Sequence, residues 1–560
     1  MFIKFLKLAL IVLFYQTSLY SKSKTLNEFN SQYLSNYFSG IVAYNNKDNS
    51  QALKFFKSSK ILIKSHNSYL EKYINSLVLE GKITKATNEI RQNLTVNNSN
   101  FFEAYLILTL DSIKKGDFKK SKKYLNRSYE FINNDRIALI VAETLKQYLF
   151  VFEEKKIPSV KKNFGNFSFV NEVFQRCYLD DKNTKNYFDR LINNDGADYS
   201  RYTFFYINYL LENNEHENAK TIANNLDYLN SSLLISQGKK WIENKKFKEF
   251  KKIFSCKNSS DVVSEFLFLV ANLYSSEQKY QISNFYLNIS HYLNPKFHFN
   301  LSLLAENYYR NENYSKTLKI LNSFNKKDDF YYWFKLKKKA QIITKQKNAN
   351  AAIDFINLEF KNIKAPTVKT IFDMANFSKN AKRFKESIYY YDQIISKIDV
   401  GSYFYSEILY RRGGSYERLG DYKNSDKDLL KALEINPDDA YVLNYLAYSW
   451  LERKYKIDTA LQMLEKAYAL ESNDPYIIDS IGWAYFLIDN YVKAEKFLKR
   501  AVELMPEDPT VNDHYGDILW KLDRKIQARY FWQAVFDLDK TEKEMKKNVQ
   551  IKLINGLKNS

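Results

Sequence analysis

Histidines, cysteines and paired carboxylates carry most proton, thiol and metal chemistry, so their placement sets the first bounds. The five histidines, at positions 66, 216, 291, 298 and 514, are scattered along the 560 residues. None belongs to an H-E-x-x-H pair, and His291 and His298 share no acidic partner at metal-ligand spacing. Adjacent carboxylates such as Asp438 and Asp439 fall at expected helix starts, where Asp accepts hydrogen bonds from free backbone N–H groups. With only 13 glycines, phosphate-cradling loops are disfavoured, and neither G-x-x-x-x-G-K-[ST], G-x-G-x-x-G nor G-x-S-x-G occurs. These observations predict no catalytic residue, no cofactor and no metal, hence a protein that is not an enzyme.

Cys177 and Cys256 form no CxxC motif and offer no zinc spacing. Two buried free thiols are the expected state. Spacing leaves a disulfide open if the chain is exported.

The elements that must position any site are helical. Seven prolines and scarce glycine favour helices joined by tight turns. The formal charge of +21 is uneven: residues 401–540 carry a net −5, residues 541–560 +3, and residues 1–400 the remaining +23. A basic body could attract nucleic acid, anionic lipid or acidic proteins, although a solvated lysine-rich face explains it more simply. The 45 tyrosines and 41 phenylalanines fall at helical spacing and read as core rather than base-stacking platforms.

The first residues follow another logic. Lys4 and Lys7 precede the apolar run Leu8–Tyr15, and the small polar stretch QTSLYSKS follows. That order predicts a secretory signal over 1–21, with Ser21 or Ser23 as its last residue. The run is too short to span a bilayer about 30 Å thick. No cysteine adjoins it, so no lipoprotein anchor is expected. The predicted location is the periplasm or the outer-membrane surface; an uncleaved signal would leave the chain at the inner membrane.

Beyond that segment a skeleton recurs. Ile481, Gly482 and Tyr485 are followed by Tyr491, Ala494, Leu498, Ala501 and Pro506. Tyr515, Gly516, Leu519, Ala528, Trp532 and Val535 repeat it about 34 residues later, and Arg412, Gly413, Tyr416, Tyr422, Ser425, Leu429, Ala432 and Pro437 precede it. Small residues recur at 52, 86, 121, 283, 317, 352, 387, 425, 460, 494 and 528, mostly 34 or 35 apart. Each copy reads as two antiparallel helices: Gly or Ala lets them approach, and Pro ends the second. Between about 130 and 255 only Ala219 offers an anchor.

This skeleton resembles the tetratricopeptide repeat, and the block from Ile481 to Val535 is similar to C-terminal repeats of exported Gram-negative members. The resemblance implies an all-α fold, a right-handed solenoid of stacked helix hairpins. Divergent repeats are expected over 22–259, moderately regular ones over 260–400, regular ones over 401–540, and a capping helix over 541–560 with Met545, Val549, Ile551 and Leu553 turned inward. Arg412, at an apolar position, and the drift to Ser or Thr upstream predict a looser stack there.

The resemblance also implies that the first helix of each hairpin lines a concave groove. Carried over by position, the lining is Tyr410, Gly414 and Glu417, then Asn444, Tyr448 and Leu451, then Asp479, Trp483 and Phe486, then Asp513, Asp517 and Trp520. Aromatic anchors among polar groups suit a peptide or helix partner, and Asp479, Asp513 and Asp517 suit a basic segment. Packing between hairpins is an equal reading for Trp483 and Trp520. The expected function is a protein-binding scaffold, with peripheral membrane association open. The alternative is an RNA-binding, pentatricopeptide-like array using the basic N-terminal part; the signal and the Gly/Tyr/Ala/Pro skeleton disfavour nucleic acid.

Overall fold

The computed structural model describes residues 31–64, 66–94, 100–159, 162–194, 200–226, 232–325 and 329–557, so the expected signal over 1–21 lies outside the described residues. Among the described residues there are 30 α-helices and no strand. The fold is the expected all-α array of helix hairpins.

The small-residue register explains how the hairpins form. In twelve of them the small residue is the fourth of the second helix, from Ala52 in Asn49–Ser58 to Ala528 in Lys525–Asp537, and includes Ala219 in His216–Asn224. Each of these side chains is at most 2% exposed. Facing them, the first helices come so close that a side chain on their glycines would collide. A Cβ on Gly482 would lie 2.7 Å from Leu498, one on Gly516 2.5 Å from Trp532, and one on Gly40 2.7 Å from Phe56.

The turns explain the scarce glycine. Left-handed residues join the paired helices, but most are not glycine: Lys47, Asn214, Gln278, Glu312, Lys382, Asp489 and Asp523 take φ between 56° and 65°. Proline acts at both ends. Pro475 and Pro509 begin first helices, where a missing N–H costs nothing, while Pro437 and Pro506 follow second helices ending at Ile435 and Leu504.

Two expectations of looseness are corrected. Arg412 forks onto Asp428 through Nε and Nη2, both at 2.7 Å, and reaches Asp392 at 2.6 Å. The matching pair three repeats along is apolar, Tyr515 against Phe531 at 4.7 Å between ring centroids. An ion pair from half-buried Arg412 to buried Asp428 thus stands where that repeat has a hydrophobic contact. Likewise, upstream serines add bonds. Ser121 and Ser283 donate across their hairpins to the carbonyls of Thr109 (3.0 Å) and Ala271 (2.7 Å).

Contacts divide the chain into a unit ending at Ile342 and another from Ile343, whereas the sequence places boundaries after 259 and 400. In the first unit the array folds back upon itself. Tyr280–Leu293 packs on Asn67–Leu79, Ile83–Gln92 and Phe102–Lys114. Tyr292 donates to Asp111 at 2.7 Å, Lys316 pairs with Glu80 at 2.5 Å, and Tyr308 donates to the Leu79 carbonyl at 3.3 Å. The unregistered stretch forms the long helix Arg136–Glu154 and shorter ones after it. Cys177 and Cys256 are joined in a disulfide, Cα atoms 5.6 Å apart, which corrects the expectation of free thiols.

In the second unit regular hairpins run to a terminal helix, Lys543–Asn555, packed on Lys525–Asp537. Val549 is fully buried, and Met545 and Leu553 pack beside it, but Ile551 is 49% exposed. Residue 551 falls two positions from Val549, nearly opposite on a 3.6-residue helix.

Gly516→Val should cost about 1–3 kcal/mol, whereas Val492→Ala, at a site 81% exposed, should stay within about 0.5 kcal/mol. Urea unfolding followed by tryptophan fluorescence checks this in the second unit, which holds Trp450, Trp483, Trp520 and Trp532.

Candidate functional site

The wall of the C-terminal groove is built from first helices. Ala440–Glu452 lies beside Pro475–Leu487, which lies beside Pro509–Lys521. Tyr403–Arg418 supplies the preceding position. Asp439, Asp474 and Asp508 fix three of these helix starts by accepting from backbone N–H groups, the capping role expected of such carboxylates.

The four positions behave differently along the groove. Tyr410 meets Tyr445 edge-on at 5.7 Å, and the Tyr445 hydroxyl donates to Glu417 at 3.0 Å. Gly414 is buried against that tyrosine, and Leu451 is part of the core. Asn444 is half-buried, and its Oδ1, wholly shielded from solvent, receives no hydrogen bond. Tyr448 is half-buried nearby; burial, then the charges of Glu452 and Asp479, push its hydroxyl well above the usual phenol range.

Further along, the predicted residues are already engaged. Trp483 is stacked between His514 (4.1 Å) and Phe486 (4.7 Å), and its indole N–H donates to Glu452 at 3.2 Å. Asp479 holds His514 Nδ1 at 2.9 and 3.1 Å. Asp513 and Asp517 both bind Lys552 Nζ at 2.8 Å, and Trp532 donates to Asp517 at 3.0 Å. Trp520 is covered by Gly556, where any side chain would overlap the indole, and the backbone is left-handed at φ +71°. Both tryptophans therefore pack between elements, and the basic group on the last two aspartates is the chain's own.

Electrostatics follow the geometry. Burial lowers the His514 pKa, but Asp479, with Asp513 and Asp517, more than offsets this, and the net shift is upward. Burial and the neighbouring Asp513 push Asp517 up to about 6 despite Lys552 and His514. Among the described residues, no three of His, Cys, Asp and Glu converge in a way that could hold a metal.

Sequence reasoning missed His514, Lys552, Tyr445 and Glu452. One signal was available for the first: Asp479 and His514 are one repeat apart, which sets them on adjacent parallel helices.

With this geometry in place, comparison with known proteins gives a consistent answer. A tetratricopeptide-repeat model matches residues 406–439. Those residues carry a tetratricopeptide repeat. It is similar to a TPR repeat-containing protein of Pseudomonas aeruginosa, 32% identical over 17% of this chain and 16% of that one. A second such protein, from Methanocaldococcus jannaschii, is 25% identical over 69% of this chain and 66% of its own. Neither match spans two thirds of the relative's length. Among solved structures, a thermophilic TPR protein of Thermus thermophilus aligns at 15% identity over 34% of this chain and all of its own, with a TM-score of 0.30.

Two predictions follow from the charge cluster. Lys552→Met leaves Asp513 and Asp517 without their cation and should destabilise the second unit by about 3–5 kcal/mol, read by urea unfolding. Because His514 binds its proton more tightly folded than unfolded, its contribution is full below pH ~6.5 and is lost as pH rises through the raised value. Thermal midpoints of the wild type should fall over that window, and His514→Gln should remove that part of the slope.

Proposed function

We propose that the protein is a non-enzymatic scaffold of the cell envelope, in the periplasm or at the outer membrane, holding a segment of a partner protein against Tyr410, Glu417, Asn444 and Tyr448. The observation that carries this reading is the Asn444 carboxamide. Its oxygen is buried yet unpaired, a state native proteins rarely leave in place, and a partner backbone N–H would satisfy it. Tyr410 and Tyr448 offer aromatic surface on either side.

A basic segment suits the neighbouring Glu417 and Glu452. The chain supplies its own example of the chemistry, since Lys552 enters between two groove aspartates. The partner site is therefore shorter than the full row of predicted residues, with Asp479, Trp483, Asp513, Asp517 and Trp520 acting as its packed far wall.

Export is supported by two independent features. The charged and apolar start of the chain has the order of a secretory signal, and the Cys177–Cys256 disulfide suits an oxidising compartment. Closing that 79-residue separation contributes about 4 kcal/mol in a chain-entropy account.

Asn444→Ala and Tyr448→Ala should each weaken capture of an envelope partner about tenfold with unchanged circular dichroism, measured after crosslinking in cells and again with the purified partner. Undiminished capture by both variants would discard the groove assignment. For location, cysteines trapped by alkylation in intact cells should resist labelling until reductant is added; ready labelling would place the chain in a reducing compartment.

A further inference from the structure

A cleft of the first unit lies between the hairpin of Tyr202–Glu212 and His216–Asn224 and the hairpin of Leu233–Glu243 and Lys248–Ile253. Its volume is about 1010 Å³, at the upper end for small-ligand sites. Floor and rim differ sharply in chemistry.

The rim is cationic. Lys245, Lys246, Lys248 and Lys251 line it, all exposed, and none forms an ion pair among the described residues. Of the two lining carboxylates, Glu249 is neutralised by Lys252 at 2.6 Å. No arginine lines the cleft. Lysines act as point charges suited to phosphate, whereas planar carboxylates are gripped best by the arginine fork.

The floor asks for the opposite. Asn208 and Glu212 stand one turn apart, and His216 begins the next helix. Asn208 Oδ1, Glu212 Oε1 and His216 Nδ1 are all buried, and none has a hydrogen-bond partner. Asn208 as a whole is only 2% exposed and is held in place by its Nδ2, which donates to the Phe254 carbonyl at 2.8 Å. Glu212 is steadied by Ser255, whose hydroxyl donates to its other oxygen at 3.3 Å. Two of the three unpaired atoms are acceptors only, and the imidazole nitrogen accepts in one tautomer. They require a ligand that donates several hydrogen bonds. Trp241, half-buried with its indole edge-on to Phe250 at 5.2 Å, adds apolar wall.

An inorganic anion would meet the rim and leave the floor unsatisfied; an acyl chain would satisfy neither. A ring bearing several hydroxyls and a phosphate meets both, with hydroxyls on the acceptors, C–H surface on the indole and the anion among the lysines. We infer that this cleft is a binding site for a phosphorylated saccharide, as a free sugar phosphate or as the headgroup of a glycolipid.

The test is calorimetry on the full chain with glucose 1-phosphate, glucose, inorganic phosphate and phosphatidylglycerol vesicles as probes. Glucose 1-phosphate should bind about tenfold tighter than inorganic phosphate or glucose, and added salt should weaken it. The exposed double substitution Lys246→Glu/Lys248→Glu should abolish binding with no change in helical content. Glu212→Leu, which removes the acceptor, should erase the preference for the sugar phosphate over inorganic phosphate with no change in helical content. Competition by phosphatidylcholine vesicles carrying lipid A would identify the headgroup form as the ligand, and lack of competition the free form. The inference is overturned if glucose 1-phosphate does not bind at millimolar concentration, if inorganic phosphate or phosphatidylglycerol vesicles bind as tightly, or if Glu212→Leu leaves the preference unchanged.

Discussion

The contact on which the structure depends is the close approach of two helices inside each hairpin. A small residue on the first helix faces a large one on the second: Gly482 against Leu498, Gly516 against Trp532, Gly413 against Leu429. There is no space for another carbon at the first two. The matching small residue on the second helix, fully buried in nearly every copy, sets the same distance from the other side. Because the helices are so near, each hairpin presents two flat apolar faces, and neither can be buried without a neighbouring hairpin. Stacking follows from that spacing.

A rule about distance leaves chemistry free to vary, and the chain uses that freedom. Arg412 and Asp428 keep the geometry of an aromatic pair with an ion pair. Ser121 and Ser283 take alanine's place and donate to a carbonyl across the hairpin. The same tolerance lets the array turn on itself in the first unit, where Tyr292, Tyr308 and Lys316 tie late helices to early ones. Buried polar atoms without a hydrogen-bond partner include Asn444 Oδ1 in the second unit and three that line the lysine-rimmed cleft of the first.

What the sequence reveals follows from which constraints are local. The small positions recur at a fixed period, so Ala52 and Ala528 could be placed in equivalent slots without any structure. Ala219 could be found alone, because the long helix Arg136–Glu154 interrupts the period around it. Pairings between distant elements carry no such signal. Lys552 reaches Asp513 and Asp517 from a helix outside the repeats, and Cys177 meets Cys256 only after several hairpins have packed. The groove was legible as a set of positions, but whether each side chain faced a partner or a neighbour was not: Trp483 is sandwiched by His514 and Phe486, and Ile551 shows that hydrophobicity without helical phase misassigns a face.

A double-mutant cycle at one hairpin tests the central contact most directly. Gly482→Ala and Leu498→Ala should each destabilise the second unit, the latter by about 2–5 kcal/mol. Combined, they should cost less than their sum by about 1 kcal/mol or more, since alanine at 498 vacates the space that the new methyl needs. Additivity within about 0.3–0.5 kcal/mol would mean that the two residues do not limit each other's approach, and would contradict close packing as the origin of the stack.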